Sequence, residues 1–264
     1  MNLALPNRPR VAVVEMYGTI GGHLRSRTYA PLFKALREER AVRALVLDID
    51  SPGGSASESD YLYSLIRKVA ARKPVVAFIR GTGASGAYFI ACAAQRIVAQ
   101  RSSIVGSIGV ITIRPQMQEL LDKVGIKVSV TATGPLKGMG LPFREESEQE
   151  KAKNEALVGT FFEHFLDVVA AGRRVSKETA RGWATGEVFW APQARERGMV
   201  DELGDLEHAV AVAAKLGEVP RKNVVTVRPK LPFPQRLLQR VASASLSAAH
   251  AEAERLFTPR IEYR

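Results

Sequence analysis

Cysteine is nearly absent: Cys92 is alone among 264 residues, so no intramolecular disulfide framework is possible and packing must hold the fold. It sits in the apolar run 84–94, where a lone cysteine reads as a small buried hydrophobe. No histidine or second cysteine lies near it to activate a thiolate. Histidine is also scarce, with His23, His164, His208 and His250 making up the whole complement. No apolar run approaches the ~18 residues of a membrane span, and residues 1–10 hold no signal-type apolar core. The chain therefore reads as soluble or peripherally membrane-attached. Aromatic residues are 7% of the chain, and no stretch interleaves them with lysine or arginine. The +11 net charge and pI near 10.0 thus point to diffuse attraction to anionic membrane surfaces rather than to nucleic acid.

What is present is the composition of a globular domain, 46% hydrophobic and 25% charged. Buried strands are predicted over 11–16, 44–49 and 75–79, with a further strand over 128–132. Helical spacing occupies 29–40 and 57–72 between them, which argues a parallel α/β sheet. The later chain reads as helical: 145–171 is long and carries Phe161, Phe162 and Phe165 as a stripe expected in the core. Ser176 and Asp205 are expected to cap two shorter helices. The expected division is one domain over 1–220, then a basic, proline-rich linker and an amphipathic helix over 235–257.

Three glycine-rich segments carry chemistry. Asp50-Ser51-Pro52-Gly53-Gly54 follows a strand, and its paired glycines allow a sharp turn with N–H groups free to polarise a carbonyl. Gly83-Ala84-Ser85-Gly86-Ala87-Tyr88 follows the next strand and presents Ser85 between small neighbours. The alternative for Ser85 is a plain helix N-cap. Lys137 lies in Gly134-Pro135-Leu136-Lys137-Gly138, in apolar company that would suit a neutral amine acting as a base; the alternative is a solvated loop lysine. No histidine falls in a loop with site character, so lysine is the better candidate base for Ser85.

Together with Gly106-Ser107-Ile108-Gly109-Val110 and the run 194–204, these segments resemble the signal peptide peptidase A family of Ser–Lys peptidases, which includes the SohB-type proteases. The resemblance implies a ClpP/crotonase-like fold of stacked ββα units. By position it implies Ser85 as nucleophile, Lys137 as general base and Ser107 as support for the lysine amine. It assigns the N–H groups of Gly54 and Gly86 to an oxyanion hole, with Gly53 shaping the turn. No metal or cofactor is implied. Peptides or proteins are the implied substrates, either signal-peptide remnants or unfolded segments with small apolar residues at the cleavage site. Short family members form homo-oligomeric rings, so Lys137 is expected to reach the serine of a neighbouring subunit. Two rival functions share the fold: a crotonase-type acyl-CoA enzyme, with Glu58 and Asp60 as its carboxylates, and a non-catalytic scaffold.

Overall fold

A strand with helices against both faces must be apolar on both, and three segments near the start of the chain meet that condition. In a computed structural model, described over residues 8–229, they form β1 (Arg10–Tyr17), β2 (Val42–Ser51) and β3 (Val75–Ala84). β1 and β2 run parallel with Val11 opposite Ala44, and β2 and β3 with Leu45 opposite Val75. One face of this sheet, including Val14, Leu47 and Ile79, packs under α1 (Ser26–Glu38), α2 (Ala56–Ala70) and α3 (Gly86–Ala91). The other face, including Val13, Val46 and Phe78, packs on α8 (Leu206–Leu216). Each such side chain, fully buried, contributes about 1.5–3 kcal/mol.

β3 is long enough to serve two neighbours along one edge. Val76–Ile79 pairs with β4 (Arg96–Ala99), and Thr82–Ala84 with β5 (Ile104–Gly106). The sheet forks there, and the fork positions Ser85, the residue immediately after β3. β6 (Val188–Trp190) runs antiparallel to β5, and β7 (Glu202–Leu203) parallel to β4. On the far edge β8 (Val224–Val227) pairs parallel with β1. The compact unit therefore runs to Val227 and takes in a strand beyond residue 220. The tail helix expected over 235–257 lies outside the described residues.

Caps fall where the side chains require. The Ser176 hydroxyl accepts from the Thr179 N–H at 3.1 Å and opens α6 (Lys177–Trp183). Asp205 accepts from the His208 N–H at 2.8 Å and opens α8. The long helix α5 (Glu148–Arg173) starts with a reciprocal capping box between Ser147 and Glu150.

The strand expected over 128–132 does not form. Val128 and Val130 have the alternation of a strand, but both are exposed and no neighbouring strand accepts them; an unpaired strand has no ladder to hold it. They belong to an arm, residues 109–147, whose regular structure is the short α4 (Gln118–Lys123), a helix with no buried residue. The arm is fastened at its base, where Arg144 makes a two-pronged pair with the buried Glu150 carboxylate. That pair, with the Ser147 N–H, holds the carboxyl down to about 2. The contact is therefore intact above the ordinary carboxylate range and is lost as pH falls from there toward 2.

Candidate active site

Ser85 has φ +53° and ψ −123°, a conformation that L-residues rarely adopt. Such a residue costs of order 1–3 kcal/mol and persists only where its surroundings enforce it. Here they do. The Ser85 N–H donates to the Gly106 carbonyl at 2.7 Å, and its own carbonyl accepts from the Phe89 N–H at 3.0 Å. Ser85 occupies the N-cap position of α3 without making a side-chain cap bond, so the plain N-cap reading does not hold. Its hydroxyl is left available in a cavity of about 500 Å³ that Gly54 and Gly86 also line.

The glycines are there because nothing larger fits. Gly53 has φ +95°, and a Cβ on it would lie 2.7 Å from the Gly86 nitrogen and 2.8 Å from the Ser85 Cβ. The Gly53–Gly54 turn is thus pressed directly against the serine turn. It is anchored from outside, the Ile20 N–H donating to the Gly53 carbonyl and the Ser55 N–H to the Ile20 carbonyl. A Cβ on Gly86 would fall 2.2 Å from the Ser59 hydroxyl. Gly86 is the first residue of α3, where an N–H has no acceptor within the helix.

Ser107 also takes a left-handed conformation, φ +49°, with its N–H donating to the Glu187 carbonyl at 2.6 Å. It immediately follows Gly106, the residue that holds the Ser85 backbone. Ser85, Gly53, Gly54 and Gly86 are thus brought together, with Ser107 one residue from that contact. Lys137 is not. It lies on a turn of the arm, its side chain exposed, and it is absent from the lining of the Ser85 cavity. The apolar enclosure expected from its sequence neighbours is not formed within one chain, because the arm packs on little besides its own base.

Sequence reasoning missed part of the cavity. Phe161 and Phe165 line it together with Phe89, Val110 and Ile111; Phe165 is in the core as expected, while Phe161 is 45% exposed. His164 lines it too, although it sits on a helix: its Nε2 lies 3.0 Å from an Asp60 carboxylate oxygen, and its ring packs 5.6 Å from Phe89. The i, i+4 spacing of Phe161 and Phe165 was visible in the sequence, but nothing local said that their face of α5 packs against α3. Glu58 is otherwise engaged, accepting from the Ser26 N–H at 2.6 Å at the start of α1. With Asp60 paired to His164, neither carboxylate of the acyl-CoA alternative stands free.

Cys92 is the C-cap of α3, and burial pushes its thiol up to about 12. We expect iodoacetamide to leave it unmodified in the folded protein and to alkylate it fully in denaturant, as intact-mass measurement would show. Alkylation at the rate of a free thiol under native conditions would mean that the α3 packing is wrong.

The forked parallel sheet, with a strained serine turn at its end, follows the Clp protease plan, whose family model matches residues 10–123. The model of peptidase family S49 matches residues 67–220, more than half of the chain, and the chain belongs to that family. A Synechocystis sp. protein with a provisional protease name is 35% identical over 234 residues, covering 87% of this chain and 83% of that protein. The chloroplastic serine protease SPPA of Arabidopsis thaliana is 30% identical over 250 residues, covering 87% of this chain but 36% of the larger protein. Protease 4 of Salmonella typhi is 32% identical over 206 residues and is likewise spanned for 32% of its length. The solved structure of a membrane-bound stomatin-specific protease, in a serine-to-alanine variant, shares the fold with a TM-score of 0.53 at 16% identity. The alignment covers 85% of this chain and 99% of that one. The fold is thus ClpP/crotonase-like and the chain is a peptide-bond hydrolase.

Proposed function

We propose that the chain is an endopeptidase in which Ser85 attacks the scissile carbonyl and Lys137 serves as general base. Neutral Lys137 takes the Ser85 proton as the Oγ–C bond forms. The N–H groups of Gly54 and Gly86 receive the oxyanion, and Ser107 supports the lysine amine. Lys137 then protonates the departing amine, and water, deprotonated by the same lysine, releases the acyl group. The observation that carries this reading is the strained Ser85 turn in a cavity shared with Gly54 and Gly86. Two such donors are expected to supply a few kcal/mol in each tetrahedral step.

The base comes from a neighbouring copy in this reading. Lys137 rides on an arm that exposes Ile111, Ile113, Leu120, Val124 and Ile126, more apolar surface than a monomer ordinarily leaves wet. Packing that arm on the next subunit of a homo-oligomeric ring would bury those side chains and carry the lysine to a serine. Substrates are peptides or unfolded segments, signal-peptide remnants among them. The glycine floor beside Ser85 suits a small apolar residue at the scissile bond, and the phenylalanine-lined cavity takes apolar side chains flanking it.

A fluorophosphonate probe tests the nucleophile. One adduct is expected, located by mass spectrometry on the peptide that contains Ser85, and absent from Ser85→Ala. An adduct on another serine that survives Ser85→Ala would overturn the assignment.

A further inference from the structure

The strands of a parallel sheet all begin at one edge, and here that edge collects cations. A cleft of about 280 Å³ is lined by Arg40, Arg43, Arg72 and Lys73, with Glu218 as its acid. Arg40 lies in the turn before β2, Arg43 is on β2, and Arg72 and Lys73 lie between α2 and β3. Lys73 has a structural role, because its ammonium donates to the Leu36 and Glu39 carbonyls at 2.6 Å each and closes the end of α1. Burial lowers its pKa, and Arg43 and Arg72 push in the same direction against Glu39. The cleft therefore gathers four cations around a single lining acid. Arg40, Arg43 and Arg72 are exposed and form no ion pair among the described residues.

The helix ends nearby do not account for this charge. Cations that complement helix carbonyls sit in the last turn, as Arg67 and Lys68 do on α2, whereas Arg40, Arg43 and Arg72 lie beyond the helices. Arg221 and Lys222 extend the same edge, since β8 begins level with Val11. Between the cations two apolar side chains reach solvent, Leu216 at 44% and Val224 at 41%.

We propose that this edge is a docking surface for an anionic lipid bilayer, the cleft receiving a lipid phosphate. Scattered apolar groups among unpaired cations match an interface that is anionic at its surface and apolar beneath. Nucleic acid fits less well, because no aromatic side chain lines the cleft to stack a base. β3 rises roughly 3.3 Å per residue from this edge to Ser85, so docking holds the serine roughly 30 Å above the lipid. The surface thus presents the site to polypeptide that has left the membrane.

The test is co-sedimentation of the full chain with phosphatidylcholine vesicles, with and without phosphatidylglycerol. Binding is expected only when phosphatidylglycerol is present, and it should weaken as salt is raised. The variant R40E/R43E/R72E should bind at least about 30-fold more weakly, while K151E/K153E/R195E, with the same change in net charge, should bind as the parent does. If the triple reversal disturbs folding in circular dichroism, Arg72→Gln alone should still lose about fivefold. Four results would overturn the proposal: equal binding to phosphatidylcholine, retention of binding by the cleft variants, release by inorganic phosphate but not by chloride at the same ionic strength, or preference for a duplex DNA oligonucleotide over the vesicles. The third would assign the cleft to a soluble phosphate and the fourth to nucleic acid. None of these readouts depends on peptidase activity.

Discussion

Lys137→Ala is expected to lower kcat/KM by at least about 10³-fold while leaving the melting temperature of the subunit unchanged. The first expectation follows from the proposed mechanism: a serine hydroxyl is a weak nucleophile without a base, and in that mechanism the same amine protonates the leaving group. The second follows from position, since Lys137 is exposed and touches neither the Ser85 cavity nor the sheet. A residue whose loss costs so much activity and so little stability would be serving the reaction rather than the fold. Mixing the inactive Ser85→Ala and Lys137→Ala proteins, then allowing subunits to exchange, should restore about a quarter of parental activity if each site joins two copies. Sites built within one chain would give no recovery. Near-normal turnover by Lys137→Ala would instead remove lysine from the mechanism and turn attention to His164, the histidine that lines the cavity with Ser85.

The parts of this architecture that were legible in the sequence are those whose cause is local. β1, β2 and β3 were visible because their central stretches, buried on both faces, are apolar at nearly every position. α6 and α8 were visible because Ser176 and Asp205 cap them directly. The arm was misread because Val128 and Val130 alternate as a strand does, and alternation reports a demand for burial without naming the partner that meets it. The same limit applies to Lys137. Its glycine, proline and leucine neighbours promised an apolar pocket, but the single chain supplies none. The cavity wall from α5 was illegible for another reason: Phe161 and His164 share a cavity with Ser85 only because α5 packs on α3, which is distant in sequence, and no spacing encodes that.

Gly53→Ala is the second change expected to have a large effect, and it acts through geometry alone. Alanine at φ +95° is strained, by about 1–3 kcal/mol. Its Cβ would also sit 2.7 Å from the Ala84 carbonyl oxygen and the Gly86 nitrogen. All of these neighbours are backbone or Cβ atoms, so no flexible side chain can swing aside. The turn must separate from Ser85, and the spacing between the Gly54 and Gly86 N–H groups widens with it. A displaced donor loses most of its worth to an oxyanion, so kcat is expected to fall about 10²–10³-fold, with KM changed far less. Urea denaturation should show a lower midpoint at constant slope. Gly159→Ala is the control: that glycine is within α5 with nothing within 4 Å of an added Cβ, so alanine should raise stability by about 0.5–1 kcal/mol. A Gly53→Ala enzyme with parental kcat would show that the Gly53–Gly54 turn plays no part in holding the oxyanion.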